Sequence, residues 1–264
     1  MTRPLADMPR ATRAAIRGVL ADIDDTVTTE GKLTSQAYGA LWRLKQAGKL
    51  VVPITGRPAG WCDHIARMWP VDGVVGENGA LWMRYDADRR KLLRGYAAGD
   101  AERRTHRARL ERVAARVLRE VPGSALASDQ PYRESDIAID FCEDVPRLPR
   151  ADVDRIVAIM ESEGLTAKIS SIHVNGWIGG YDKLGMTRTF LREAFGIDLD
   201  AERERYVFAG DSPNDAPMFA FFPNAVGVAN VSAFLDRIPT PPAWIARAPA
   251  GDGFVELVDH LLAP

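Results

Sequence analysis

Short apolar runs separated by longer amphipathic stretches set the rhythm of this chain. Val19-Leu20-Ala21 reads as a buried strand, and Thr34 or Ser35 then stands where a helix would be capped. That helix carries Ala37, Leu41 and Leu44 on one stripe and closes at Gly48. Leu50 to Ile54 forms a second apolar run. Pro58 then opens a helix whose spacing predicts Trp61, Ile65 and Met68 on one face. Gly73-Val74-Val75 predicts a short strand ending at the turn Glu77-Asn78-Gly79. Far along the chain, a helix runs from Lys183 to Phe195 and a strand from Tyr206 to Ala209. Strands that alternate with helices predict an α/β fold, a Rossmann-like doubly wound parallel sheet with right-handed crossovers.

Between these two stretches the pattern changes. Lys91 to Tyr96 reads as a strand, Asp100 to Glu120 as a long helix and Ile137 to Phe141 as an alternating strand. A further helix over 151–163 and one strand from Thr166 to Val174 complete a separate α+β module. The expected organisation is a core first part at 1–82, an inserted module at 83–180 and a core second part at 181–264. Residues 1–17 lack an apolar core and are expected to be a polar lead-in, and Pro239-Thr240-Pro241-Pro242 a stiff surface connection.

The chemistry sits where the apolar runs stop. Asp22-Ile23-Asp24-Asp25-Thr26 follows the first strand, Thr55-Gly56-Arg57-Pro58 the second, and Gly210-Asp211-Ser212-Pro213-Asn214-Asp215 the strand at 206–209. In an extended strand Asp22 and Asp24 share a face, so their carboxylates would converge on one point. Like charges held that close are costly unless a cation or a reaction requires them. All three clusters fall at the rim where open α/β sheets bind ligands.

Asp22 and Asp24, then Thr55, then Lys183, then Asp211 and Asp215 form an ordered set that resembles the haloacid dehalogenase superfamily of aspartate-nucleophile phosphatases. Thr26 takes the usual threonine place and Gly210 to Asp215 fits the family's GDxxND motif; Asp25 departs, standing where most members carry glycine. The inserted module sits where one branch carries its cap. That branch includes Cof-type hydrolases and the sucrose-phosphate, trehalose-phosphate and mannosyl-3-phosphoglycerate phosphatases. The resemblance implies a Mg²⁺-dependent phosphatase acting on a small phosphate ester, with a sugar phosphate expected. It implies Asp22 as nucleophile and Asp24 as acid and base, with Thr55, Gly56, Lys183 and Asn214 binding the phosphoryl group. It also implies Asp22, Asp211 and the Asp24 main-chain oxygen as metal ligands, with Asp215 orienting Lys183 or metal-bound water. A phosphomutase would use the same aspartates, and a non-catalytic phospho-ligand sensor would need the pocket but not the acid.

The remaining composition narrows the partners. The formal net charge of −2 gives no polyanion-binding footprint, so no nucleic-acid partner is expected. No apolar stretch approaches the ~20 residues of a membrane span. Two cysteines, Cys62 and Cys142, suit a reducing compartment and a cytoplasmic enzyme. Oligomeric state is not legible. Two features bear on substrate. Arginines 103, 104, 107, 109, 112, 116 and 119 crowd one helix opposite Leu110, Val113 and Val117. They form either a solvated face or a clamp for an anion. His173-Val174-Asn175-Gly176-Trp177, near the return to the core, is either an aromatic platform with hydrogen-bonding neighbours for a sugar ring or a stretch whose Trp177 packs the hinge.

Overall fold

The computed structural model describes residues 2–264. The chain begins with β1 (Arg3–Pro4), α1 (Arg10–Ala15), β2 (Gly18–Ala21), α2 (Ser35–Gln46), β3 (Leu50–Pro53) and α3 (Ala59–Met68). Next come β4 (Val74–Gly76) and a hairpin of β5 (Leu81–Asp86) and β6 (Lys91–Tyr96). The inserted module contains α4 (Asp100–Glu120), β7 (Ala125–Leu126), β8 (Asp136–Asp140), α5 (Arg150–Ser162), β9 (Thr166–Ile169) and β10 (His173–Trp177). The chain returns through α6 (Lys183–Phe195), α7 (Leu199–Glu202), β11 (Tyr206–Gly210), α8 (Ala216–Phe221), β12 (Val226–Gly227), β13 (Trp244–Ile245) and α9 (Ala250–Leu262).

The core sheet is parallel throughout, in the order β1-β13-β12-β11-β2-β3. β2 lies between β11 and β3, and all four of its residues are buried, as expected for a parallel strand covered on both faces. Val19, Val51 and Val207 point to one face, where they meet Leu41 and Leu44 of α2 and Phe254 and Leu257 of α9. Leu20, Val52 and Phe208 point to the other, against Phe190 and Leu191 of α6 and Met218 and Phe219 of α8. The doubly wound arrangement follows from this alternation. Thr34 caps α2 through its hydroxyl, which accepts from the Ala37 N–H at 3.2 Å.

The inserted sheet is antiparallel, in the order β7-β8-β10-β9. Ile137 and Ile139 of β8 and Val174 of β10 pack under Leu110, Val113 and Val117 of α4 and Ile156 and Met160 of α5. The alternate positions Asp136 and Asp140 point away from that cluster. Asp136 pairs with Arg133, and Asp140 accepts from the N–H groups of residues 142–144.

Several expectations differ from the structure. The lead-in at 1–17 is not loose: β1 pairs with β13, and Leu5, Met8 and Ile16 are buried against α9 and the sheet. On α3 the buried set is Ala59, Cys62, Ile65 and Ala66, while Trp61 and Met68 are 41% and 64% exposed. Small side chains let α3 lie close to β4 and β5, so the buried face rotates away from the bulky Trp61. The strand expected from Thr166 to Val174 is instead two, because Ser170 closes a turn: its hydroxyl accepts from the His173 N–H at 2.9 Å. The expected division at residue 83 falls inside β5, where Met83 pairs with Val74. Lys91–Tyr96 pairs with β5 rather than with the inserted sheet. Among the described residues, no helix is long and apolar enough to cross a membrane.

Candidate active site

Parallel strands β2, β3 and β11 end side by side, which brings their polar tails together. The Asp22 N–H still bonds the Ala209 carbonyl at 2.9 Å, but β2 itself stops at Ala21. The chain then winds into a turn in which the N–H groups of Thr26, Val27 and Thr28 all donate to Ile23 O, and Asp25 adopts φ +56°. That left-handed backbone favours glycine and is tolerated by aspartate, which accounts for both the usual residue there and the departure. The extended geometry expected of Asp22 and Asp24 is therefore absent. Their carboxylates line one cavity but reach different cations.

Asp22 turns inward. Lys183 Nζ lies 2.6 Å from Asp22 Oδ1 and 2.8 Å from Asp215 Oδ1, with all three residues buried. Lys183 opens α6, whose start is capped by the Asp182 carboxylate accepting from the Gly185 N–H at 2.6 Å. Gly79, at φ +104°, lets the β4–β5 connection pass this helix start, because a Cβ there would lie 2.0 Å from Asp182 O. Asp215 spends its second oxygen on the N–H groups of Asp211 and Ser212, at 3.1 and 3.4 Å. Gly210 makes room for that carboxylate; a Cβ would fall 2.5 Å from Asp215 Oδ2. Asp211 accepts from Thr26 Oγ1 at 3.2 Å and from Asn230 Nδ2 at 3.1 Å.

Asp22, Asp211 and Asp215 each place one oxygen within 4.8 Å of the others, against the single charge of Lys183. Burial pushes the Asp22 carboxyl up to about 8, although Lys183 pulls it down. Burial and then the charges of Asp22 and Asp215 raise Asp211 well above the carboxylate range. Burial disfavours the Lys183 ammonium, but Asp215 and Asp22 outweigh this and raise its pKa. A cluster of hard oxygen donors with excess negative charge fits a Mg²⁺ ion. Asp215 is engaged by Lys183 and two N–H groups, so Asp22 and Asp211 are the better-placed side-chain ligands. The Asp24 carboxylate lies outside this group.

Asp24 turns outward to Arg57. The guanidinium donates from Nε to Asp24 Oδ1 and Oδ2 at 2.9 and 3.1 Å, and Nη2 lies 2.8 Å from Oδ1. Its other edge reaches across to the inserted module, meeting Glu143 at 2.7 and 3.4 Å and Asp129 at 3.3 Å. His173 Nε2 lies 2.8 Å from Glu143 Oε2, a hydrogen bond whenever that nitrogen carries the proton. Burial works to raise the Glu143 carboxyl, but His173 and Arg57 prevail and hold it at about 2.

Gly56 and Asn214 line the same cavity as Asp22 and Asp24, with Ser170–His173 and Asn175 as its roof. Its volume is 10 Å³, the room of a single water, so the inserted module sits closed on the core. Thr55 is buried just behind, its hydroxyl oxygen accepting from the Arg57 N–H at 3.0 Å. Sequence reasoning missed Arg57, Asn230 and Glu143 as site residues, whereas the stretch His173–Trp177 that it singled out does bring His173 to the cavity. Arg57 follows Thr55-Gly56 directly and could have been found; Asn230 and Glu143 carry no local signal. Trp177 is buried, stacks on Tyr181 with ring centres 5.6 Å apart and donates to Tyr181 O, so it packs the hinge. No residue of α4 lines the cavity. Arg107, Arg109 and Arg116 instead bond carbonyls and carboxylates of the inserted module itself.

No family model matches the chain. Over 258 residues it is 25% identical to a phosphoglycolate phosphatase of Methanosarcina mazei, covering 93% of this chain and 96% of that relative. A second phosphoglycolate phosphatase, from Methanospirillum hungatei, is 26% identical over 258 residues, covering 94% and 99%. Among solved structures, a Thermoplasma acidophilum protein superposes with a TM-score of 0.70 at 18% identity, covering 93% of this chain and 98% of its own. A haloacid dehalogenase-like hydrolase from Bacteroides thetaiotaomicron gives 0.64 at 16% identity, covering 94% and 100%. The sucrose-phosphatase of Synechocystis, solved with sucrose and phosphate, gives 0.63 at 14%, covering 93% and 98%. These likenesses bear out the fold and the resemblance that the ordered motifs implied.

Proposed function

We infer that this chain is a haloacid dehalogenase-type phosphoric monoester hydrolase, and we propose that it cleaves a small phosphorylated metabolite through an aspartyl-phosphate. The observation that carries this reading is a buried carboxylate, Asp22, held by Lys183 at 2.6 Å beside the Asp24 carboxylate in one closed cavity. The similarity to named phosphatases along nearly the whole chain supports it.

In the proposed reaction Asp22 attacks phosphorus in line, and the ester oxygen leaves with a proton from Asp24. Water then attacks the aspartyl-phosphate and gives its proton to Asp24, releasing phosphate and restoring Asp22. Lys183 faces the developing charge, with the Thr55 hydroxyl, the Gly56 backbone and Asn214 placed around the transferring group. Asp22, Asp211 and the Asp24 main-chain oxygen would hold Mg²⁺, which supplies charge that lets an anionic carboxylate approach a phosphate dianion. Asp215 keeps Lys183 aimed, and Asn230 does the same for Asp211.

The module over residues 97–182 acts, on this proposal, as a cap that opens to admit substrate and closes to exclude water. The sequence points to a sugar phosphate, whereas the relatives named above act on phosphoglycolate, so the leaving group is the open variable. The test of the reaction is phosphate release from para-nitrophenyl phosphate with Mg²⁺, in the wild type and in Asp22→Asn. The amide is isosteric but a poor nucleophile, so turnover should vanish while the fold is retained. An Asp22→Asn protein with more than trace activity would rule out the covalent route.

A further inference from the structure

Arg57 is the floor cation whose guanidinium reaches into the cap. The Nε–Nη2 edge of its guanidinium grips Asp24, and the adjoining Nη1–Nη2 edge grips Glu143, a cap residue. His173, from the cap turn above the cavity, holds the same Glu143 carboxylate from the other side. A planar fork and an imidazole converging on one carboxylate make a built carboxylate site. We propose that Glu143 is a placeholder in that site, and that the physiological ester carries a carboxylate on its leaving group, read by Arg57 and His173. This rests on the phosphatase reading and deepens it.

The partners of Arg57 are not equivalent. Asp129 is almost fully buried and also tied to Arg133, and Asp24 is fixed by the turn that carries it. Glu143 has a side chain 27% exposed and sits between β8 and α5, in a segment with neither helix nor strand. Of the two cap partners it is the one that can swing aside while the cap is closed. A cavity of 10 Å³ has no room for a phosphoryl group, so substrate enters only when the cap lifts, and lifting carries Asp129 and Glu143, with its partner His173, off Arg57. When the cap closes again, the outer edge of Arg57 must be satisfied, because an unpaired buried charge is costly. A substrate carboxylate restores that pairing charge for charge, and a neutral leaving group does not.

Geometry also limits the substrate's length. The leaving oxygen must lie at Asp24, and the carboxylate must reach the adjoining edge of the same guanidinium. Only the width of one guanidinium separates the two points, so the carboxylate stands one or two carbons from the ester oxygen. A long ω-carboxylate would overshoot.

The decisive measurement is kcat/KM with Mg²⁺ for 2-phosphoglycolate, its primary amide, ethyl phosphate and 4-phosphooxybutanoate. A charge-assisted bidentate contact should favour 2-phosphoglycolate over the amide and ethyl phosphate by roughly 10–100-fold. 4-Phosphooxybutanoate should behave like ethyl phosphate. In His173→Gln and Arg57→Lys the preference should collapse toward unity, with thermal unfolding used to confirm that each variant is folded. Glu143→Gln should lower KM for 2-phosphoglycolate, since it weakens the placeholder; a merely structural role would impair all four esters together. If the wild type hydrolyses these esters without favouring the short carboxylate, or Glu143→Gln raises KM for 2-phosphoglycolate, the inference is overturned and the phosphatase reading stands. If no ester is hydrolysed, para-nitrophenyl phosphate included, the phosphatase reading itself fails.

Discussion

Replacing Lys183 with methionine should unfold this protein more readily than any conservative change in its apolar core. The ammonium is 3% exposed and bonds Asp22 at 2.6 Å and Asp215 at 2.8 Å, so methionine fills its volume but removes the only positive charge in the carboxylate cluster. Breaking a buried pair by deleting one partner costs about 3–5 kcal/mol. Part of that is recovered by protonation. Asp22 already binds its proton up to about pH 8 with Lys183 in place, and losing Lys183 pushes that value higher. Near pH 7, without Mg²⁺, the loss should therefore lie at the lower end, about 3 kcal/mol, or roughly 6–12 °C in Tm for a chain of this size. The loss should grow toward pH 9, where a proton is scarcer. The assay is thermal unfolding followed by circular dichroism in metal-free buffer, for Lys183→Met, Asp22→Asn and the double variant. Above about pH 8, where Asp22 would otherwise ionise, Asp22→Asn removes one of three crowded charges, so there it should restore part of the stability lost in Lys183→Met, with a coupling of about 0.5–3 kcal/mol. A Lys183→Met protein as stable as wild type, or a double variant showing simple additivity in that range, would refute the reasoning that this lysine balances the cluster.

Three further outcomes are expected. Asp24→Asn should slow hydrolysis by ~10²–10⁴-fold for an alkyl phosphate and by much less for para-nitrophenyl phosphate, whose leaving group needs no proton; equal losses would limit Asp24 to a structural or metal role. Metal-free wild type should lose stability as pH rises from about 4 to about 8, because the folded Asp22 carboxyl is raised above its ordinary value, so its contribution is full at low pH and lost through the folded pKa. Mg²⁺ at about 100 times its Kd should add ~2.7 kcal/mol and flatten that slope; urea titrations across pH with and without the ion check both points. Replacing residues 98–179 with a short Gly/Ser linker should leave weak activity on aryl phosphates but remove discrimination among alkyl esters, because His173 and the wall over the leaving group go with the cap; retained discrimination would locate specificity in the core.

Much of the core was legible because its signals are local. A parallel strand buried on both faces reads as an apolar run, and the polar residues that follow it must lie at the sheet's edge whatever the rest of the chain does. That is why Asp22, Thr55 and Asp211 could be selected, and why the inserted α+β module showed as a break in rhythm. Periodicity fails where neighbours decide which face is buried. On α3 the spacing of Trp61, Ile65 and Met68 is helical, yet the face against β4 and β5 is the one with small side chains. The 166–174 stretch read as one strand because a Ser170 hydroxyl that closes a turn has no signature in hydropathy.

The sequence by itself determined the class of fold, the order of its elements and the residue types that meet at the ends of β2, β3 and β11. Only the tertiary structure decided which charge faces which. Lys183 meets Asp22 across 161 positions, and Arg57 meets Glu143 across 86. Pairings at such separations are set by how two sheets and their connecting helices pack, not by any pattern within a window of chain. Asp22 and Asp24 illustrate the division. Their spacing marks them as a pair, but the turn at Asp25 sends one carboxylate into the buried lysine and the other to the arginine beneath the cap.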